Sequence, residues 1–251
     1  MSAAEQLLVP RIEVRRAKDR FHTQAGWLDS HHSFSFSYHF DPNNIHHGLL
    51  LVSNDDVVRG GTGFSTHPHQ DMEIVTWVLD GELQHQDSEG NSGVIYPGLA
   101  QRMSAGTGIW HSEMNASHDR DVHFIQMWVL PDAESINPGY EQLDIGSELG
   151  RGGLVAVASG QGHTAAISIR QKEAVLWVGR LKPGETVHVP DAPFAHLYVA
   201  RGGGELEGAG QLEAGDAARL TAAGSPTFTA DPANGAEVLV WQTGPAPGGL
   251  G

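Results

Sequence analysis

Gly63-Phe-Ser-Thr-His-Pro-His69, then Gln70-Asp-Met-Glu73, then Ile74-Val-Thr-Trp-Val-Leu-Asp-Gly81 is the stretch on which the fold turns. Ile74, Val75, Trp77, Val78 and Leu79 form a short β-branched and aromatic run without helical periodicity, which predicts a strand. Asp80-Gly81 closes it with a hairpin signal. Upstream, His67 and His69 stand two residues apart, so on a strand both imidazoles point to one face. Pro68 between them donates no ladder bond and predicts an edge or a bulge.

Working outward, the same texture recurs. Val122–Leu130, Ala174–Val178 and Val238–Trp241 are further apolar runs bounded by Gly, Asp, Asn and Pro, and the 32 glycines suit a chain of many tight turns. This is the pattern of an all-β sandwich or barrel. A polar, Pro- and Gly-punctuated segment runs from Pro131 to Gly153. The two sides of it resemble each other: Val78-Leu-Asp-Gly-Glu-Leu83, Pro97-Gly98 and Ser104-Ala-Gly106 are echoed by Val199–Leu206, Ala214-Gly215 and Ala222-Ala-Gly224. An ordered set of matches of this kind predicts a duplicated β domain. The expected division is an N-terminal domain over 1–132, a linker over 133–153, a C-terminal domain over 154–245 and a disordered tail over 246–251.

Composition excludes several classes. With 15 Lys and Arg against 30 Asp and Glu the formal charge is −15, which disfavours direct contact with nucleic-acid phosphates. There are no cysteines, so disulfides, thiolate metal sites, iron–sulfur clusters and a cysteine nucleophile are ruled out. Residues 1–25 lack the apolar core of a signal peptide, and no run reaches the roughly 20 apolar residues of a membrane span. A cytoplasmic location is the expectation.

Any metal must therefore sit on nitrogen and oxygen. Twelve of the 15 histidines lie at or before His123, and most read as ordinary surface residues. A lone His-X-His is commonly just two exposed strand positions. Here, however, His111-Ser-Glu113 repeats the spacing with an imidazole and a carboxylate. Two neighbouring strands would aim His67, His69, His111 and Glu113 at one point. That donor set suits iron, manganese, cobalt, nickel, copper or zinc and leaves positions open for substrate or oxygen.

Gly61, His67-Pro-His69 and Glu73, with Pro97-Gly98 and His111 downstream, resemble the two motifs of the cupin superfamily. More narrowly, the chain is similar to the pirin family. The matching stretches are Gly26-Trp-Leu-Asp-Ser30, Phe34-Ser-Phe36, Asp41-Pro-Asn43, Asn54-Asp-Asp56, Gly63-Phe64, His67-Pro-His69, Met72-Glu73, Met103-Ser-Ala-Gly106 and His111-Ser-Glu113. The resemblance is dense over residues 15–130 and holds only in outline beyond. It implies a bicupin, two β-barrel (jelly-roll) domains facing each other, with one metal, Fe(II) first, in the N-terminal barrel. It also implies the ligands His67, His69, His111 and Glu113, and leaves Glu73, the ligand of typical cupins, as a carboxylate behind the ligands or a structural one. Aligning the halves on Val199 and Val78 sets His188 and Pro190 opposite His67 and His69. Aligning them on Gly224 and Gly106 sets Thr229 and Asp231 opposite His111 and Glu113. A metal-free second barrel is expected.

Around the site, Phe64, Met103 and Trp110 are candidates for an apolar pocket, with ordinary core packing an equal reading. Trp27, His31 and His32 are candidates for a cover, and Asp71 and Glu73 for partners of the ligand imidazoles. For bacterial members the resemblance implies a dioxygenase cleaving flavonols such as quercetin with O2, in which Glu113, or Glu73 nearby, could take the flavonol proton. The alternative is a non-catalytic iron-binding regulator that docks on transcription factors or metabolic enzymes.

Overall fold

The computed structural model describes residues 8–164 and 166–247. Of the expected disordered tail, residues 248–251 lie outside the described part. Among the described residues the chain is all-β apart from one short 3-10 turn and one four-residue helix, as its alternating and β-branched runs require.

The N-terminal domain is a seven-stranded antiparallel sheet facing a four-stranded one. The larger has the order Gly139–Asp144, Leu99–Ser104, Glu73–Asp80, Val122–Val129, Leu50–Val58, Leu28–His32, Phe21–Ala25. The smaller has the order Gly63–His69, Ile109–Asn115, Leu83–Asp87, Ser92–Ile95, so Pro68 sits on an edge strand, where its missing N–H costs no ladder bond. Asp80-Gly81 is not a hairpin. The strands on either side of it belong to different sheets, and Gly81 (φ +77°) turns the chain from one wall of the barrel to the other.

The C-terminal domain repeats the plan. Its main sheet runs Arg11–Arg15, Ala217–Thr221, Phe194–Leu206, Ala236–Thr243, Ala174–Leu181, Val155–Ser159, Ile167–Ser168. Thr186–His188, Thr227–Ala230 and Gly210–Glu213 form the opposing wall. Phe194–Leu206 belongs to both: residues before Gly203 pair with the main sheet and residues after it with the other wall. The bend falls at Gly202-Gly-Gly204, where Gly202 has φ +69° and a Cβ would meet the Gly235 carbonyl oxygen at 2.2 Å.

Two domain boundaries differ from expectation. Arg11–Arg15, assigned to the first domain, pairs along its whole length with Ala217–Thr221 of the second. The supposed linker is not bare, because Gly139–Asp144 extends the N-terminal sheet beside Leu99–Ser104, and Gly146–Leu149 is helical.

The central strands of the seven-stranded sheet are buried on both faces. Glu73–Leu79 is buried at every position. Val75, Trp77, Leu79, Ile125, Met127 and Val129 join Leu176, Val178, Tyr198, Leu239 and Trp241 of the other domain in one apolar cluster. Fully buried side chains of this size contribute roughly 1.5–3 kcal/mol each. Directional contacts fix the seam: Trp77 Nε1 donates to Glu237 Oε1 (2.9 Å), Arg201 donates to the Leu79 carbonyl (2.6 Å), and Arg20 donates to the Tyr198 hydroxyl (3.0 Å). The opposite face, with Val78, Val122 and Phe124, lines the floor of the N-terminal barrel.

Candidate metal centre

His67 and His69 project from the edge strand and His111 stands directly opposite His67 on the next strand. The ring centroids lie 4.9 Å (His67–His69), 4.4 Å (His67–His111) and 4.9 Å (His69–His111) apart, and one ligand nitrogen from each falls within 4.8 Å of the others. The His67 Nδ1 donates to the Ser65 carbonyl at 2.8 Å, which leaves Nε2 as its lone-pair nitrogen. Burial, reinforced by the neighbouring imidazoles, lowers the pKa of His69 to about 4 and that of His111 to about 3. Both are neutral at pH 7, the form that binds metal. His111 is buried, yet its Nε2 has no partner. A buried nitrogen lone pair without a donor costs roughly 1–3 kcal/mol. Three converging imidazoles, two of them held neutral by burial and one unsatisfied, fit a divalent transition ion.

Glu113 is one step removed. The ladder between the two strands shifts between His111 and Glu113, so Glu113 pairs with Phe64, on the side of His67 away from His69. Its carboxylate groups with His111 and His85 rather than with all three histidines. Gln126 Nε2 donates to both carboxylate oxygens (2.8 and 2.7 Å). Asp56 lies in the same polar layer, bonded by the Ser30 hydroxyl. Burial pushes its carboxyl up to about 7, and the charges of Asp55 and Glu113 push the same way.

His85 and Asp87 were not among the residues singled out from sequence. Both side chains are fully buried, His85 Nε2 lies 3.0 Å from Asp87 Oδ2, and His85 Nδ1 lies 3.5 Å from His111 Nδ1. Burial opposes ionisation of Asp87, but hydrogen bonds from His85 and Asn91 outweigh it and hold the carboxyl below its ordinary range. The signal was available: His85-Gln-Asp87 is another i, i+2 polar pair on a strand.

Trp128 was also missed. It follows Phe124 and Gln126 in strict alternation, and its ring meets His69 edge-on at 4.9 Å. Phe36 packs against it at 5.6 Å, and His32 stacks on Phe36 at 5.1 Å. The N-terminal segment thus reaches the cluster through His32 and Phe36. Trp27 packs against Phe64 (5.0 Å), which in turn lies 6.4 Å from His67. His31 faces elsewhere, half-buried and stacked on the exposed His22 beside half-buried Asp29, a trio that could itself take a cation.

Other expectations need correction. Of the two readings for Met103, core packing holds: it is buried with Ile74, Ala105 and Ile109. Trp110 alternates outward from His111, is 54% exposed, and flanks a shallow outer cleft with Pro68 and His69. Glu73 shares a strand face with Val75 and Trp77, away from the histidines. Its Oε2 accepts from the Arg170 backbone N–H (3.0 Å) and the Ser104 hydroxyl (2.9 Å), so it ties the two domains together. Asp71 caps a turn by accepting from the Ser135 N–H. Neither touches a ligand imidazole.

In the second barrel the sequence alignment is one residue out of register. Val187 pairs with Phe228 where His67 pairs with His111, and His188, exposed, and Thr229, half-buried, alternate away from the interior. The interior positions are Val187, Val189, Phe228 and Ala230, packed in an apolar cluster that offers no donor atom.

A face-to-face pair of β-barrels, with a histidine cluster in the first and an apolar interior in the second, defines a bicupin. The pirin family model matches residues 13–129 and that of the quercetinase C-terminal cupin domain matches residues 156–241. The chain is 58% identical over 232 residues to a protein of Mycobacterium tuberculosis provisionally named quercetin 2,3-dioxygenase, covering 92% of this chain and 94% of that one. It is 42% identical to the quercetin 2,3-dioxygenase of Escherichia coli K12 over 70% of this chain and 75% of that one. The nickel(II) complex of the bacterial pirin YhhW from E. coli superposes with a TM-score of 0.86 at 35% identity, covering 94% of this chain and all of that one. The chain belongs to the pirin family.

Proposed function

We propose that this protein is a metal-dependent dioxygenase that cleaves flavonols such as quercetin, with iron as its metal. The observation that carries the reading is the three-histidine cluster with its unpartnered His111 Nε2. The names of its relatives supply the substrate class. His67, His69 and His111 would hold the ion, with Glu113 as the fourth, anionic ligand. When bound, the ion supplies Lewis-acid and redox chemistry toward an ionised flavonol and dioxygen.

The chain's own residues do the rest. One carboxylate among neutral ligands leaves the centre net positive, which favours an anionic flavonol over its neutral form. Glu113 accepts the flavonol hydroxyl proton. Gln126 holds that carboxylate in place through both oxygens. Trp128 and Phe36 close the side beside His69 and exclude water, while Phe64 offers an apolar wall near His67.

A second reading, a non-catalytic iron-binding regulator, draws on Tyr38 and Phe40, which are 99% and 74% exposed on one loop and suit a protein partner. The deciding experiment is metal analysis combined with oxygen uptake. One tightly bound ion per chain and quercetin-dependent oxygen consumption are expected, with any ion at His22, Asp29 and His31 lost on dialysis. A fully iron-loaded protein that consumes no oxygen with quercetin or related flavonols overturns the enzyme reading.

A further inference from the structure

We propose that Asp87 and His85 form a buried relay that fixes the tautomer of His111, so that its Nε2 lone pair is always presented to the histidine cluster. Only the consequence for metal affinity rests on the proposed metal centre. The relay itself is a property of the metal-free chain.

The proton order follows from the donors and acceptors present. The Asp87 carboxylate can only accept, so His85 Nε2, at 3.0 Å from Oδ2, carries hydrogen. In singly protonated His85 the other nitrogen, Nδ1, is then a lone pair. That lone pair faces His111 Nδ1 at 3.5 Å. Two facing lone pairs repel, so His111 Nδ1 carries hydrogen and donates. Neutral His111 is left with its lone pair on Nε2, the buried nitrogen that has no partner in the protein. Tyr140 lies over the His85 ring at 4.8 Å and holds its plane. His85 and Asp87 are therefore positioning residues: neither is a proposed ligand, and both act through His111.

The turn after Asp87 makes the relay testable with one atom. Asp87 Oδ1 accepts from the backbone N–H groups of Glu89 and Asn91, each at 3.0 Å, and from Asn91 Nδ2 at 3.1 Å; Oδ2 also receives Asn91 Nδ2 at 3.1 Å. In Asp87→Asn the two backbone donors keep the amide oxygen at the Oδ1 position. The amide NH2 then faces His85. His85 must accept at Nε2 and carry hydrogen at Nδ1, His111 Nδ1 becomes the acceptor, and hydrogen moves to His111 Nε2, where it blocks the lone pair. His85→Phe keeps a ring against Tyr140 but cuts the relay, which lets His111 exchange between tautomers.

The experiment reads the tautomers directly, by long-range proton–nitrogen correlation on 15N-histidine-labelled, metal-free protein at pH 8, and in parallel the affinity for nickel(II) by chelator competition. In the wild type His111 is expected with hydrogen on Nδ1 and none on Nε2. In Asp87→Asn that order reverses and nickel binds about 10–100-fold more weakly. In His85→Phe the two His111 signals average and nickel affinity falls by a smaller factor. A wild-type His111 protonated on Nε2, or an Asp87→Asn protein that keeps both the wild-type tautomer and its nickel affinity, overturns the relay. Should Asp87→Asn not fold, the wild-type spectrum and His85→Phe decide alone. A wild type that shows the expected tautomers but binds no nickel supports the relay while removing the metal centre it was argued to serve.

Discussion

Replacing His111 with Leu separates what the ring does for the fold from what it does for metal. The metal-free balance can be worked from the site. The substitution removes an unpartnered buried nitrogen, worth roughly 1–3 kcal/mol in favour of the variant. It also strands His85 Nδ1, 3.5 Å away, at a similar cost. A leucine of comparable volume adds under about 1.5 kcal/mol of packing mismatch. The metal-free variant should therefore lie within about 2 kcal/mol of wild type. With metal the difference is large, because an ion at a thousandfold excess over its Kd stabilises the protein that binds it by about 4 kcal/mol. The assay is urea unfolding of both proteins, once in chelator and once with nickel(II). Wild type should gain about 4 kcal/mol with nickel at that excess, and the variant almost nothing. A variant that keeps the full nickel-dependent gain would show that His111 is not a ligand. A metal-free loss well above about 4 kcal/mol would make the ring a packing element of the kind whose truncation leaves a cavity, not one reserved for an ion.

Glu113→Gln should lower quercetin turnover about 10²–10⁴-fold at full metal occupancy, with the deficit shrinking at high pH where the flavonol ionises unaided; an unaltered rate places the base elsewhere. Glu73→Gln should keep wild-type metal affinity and lose no more than about 1.5 kcal/mol in a melting experiment, since the amide oxygen still accepts from Ser104 and Arg170; loss of metal there would return Glu73 to the ligand set. Asp56, raised by burial to about 7 from 3.8, contributes stability that is complete below about pH 4 and is lost as pH rises through 7. Asp56→Asn stays neutral and can still accept from Ser30, so its stability advantage over metal-free wild type should grow to about 4 kcal/mol by pH 8.5, and a melting-temperature difference that does not change with pH would refute this.

Much of the molecule was legible because strand chemistry is local. The apolar runs gave the strands, and the i, i+2 spacing placed His67 with His69 and put His111 and Glu113 on one face. Pairing between distant segments was not legible. Nothing in Arg11–Arg15 itself says that it completes the sheet of the second domain. For Glu73 the structural reading holds, but its choice over a carboxylate behind the ligands was not legible, for a related reason. On a strand buried at nearly every position, alternation separates two faces but does not say which one looks into the barrel. His85 was passed over because histidines were abundant enough to be discounted as surface residues, and its i, i+2 pairing with Asp87 gains weight only once both are seen buried beside His111. The one-residue slip in the second half is the ordinary penalty of period-two structure, in which a single gap exchanges inside for outside.

The seven-stranded sheet is a party wall. Along Val122–Val129, Gln126 reaches into the histidine-lined chamber to hold Glu113, while its neighbours Ile125 and Met127 press on the other domain, where Trp241 Nε1 donates to the Met127 sulfur. Close-packed interiors transmit displacement instead of absorbing it. The chamber therefore has no wall of its own on that side. A substitution at Trp241, in the domain whose barrel interior is packed with apolar side chains, bears on the backbone that aims Gln126. The second barrel serves the first as masonry does, by fixing where the side chains of its histidine-lined chamber hang.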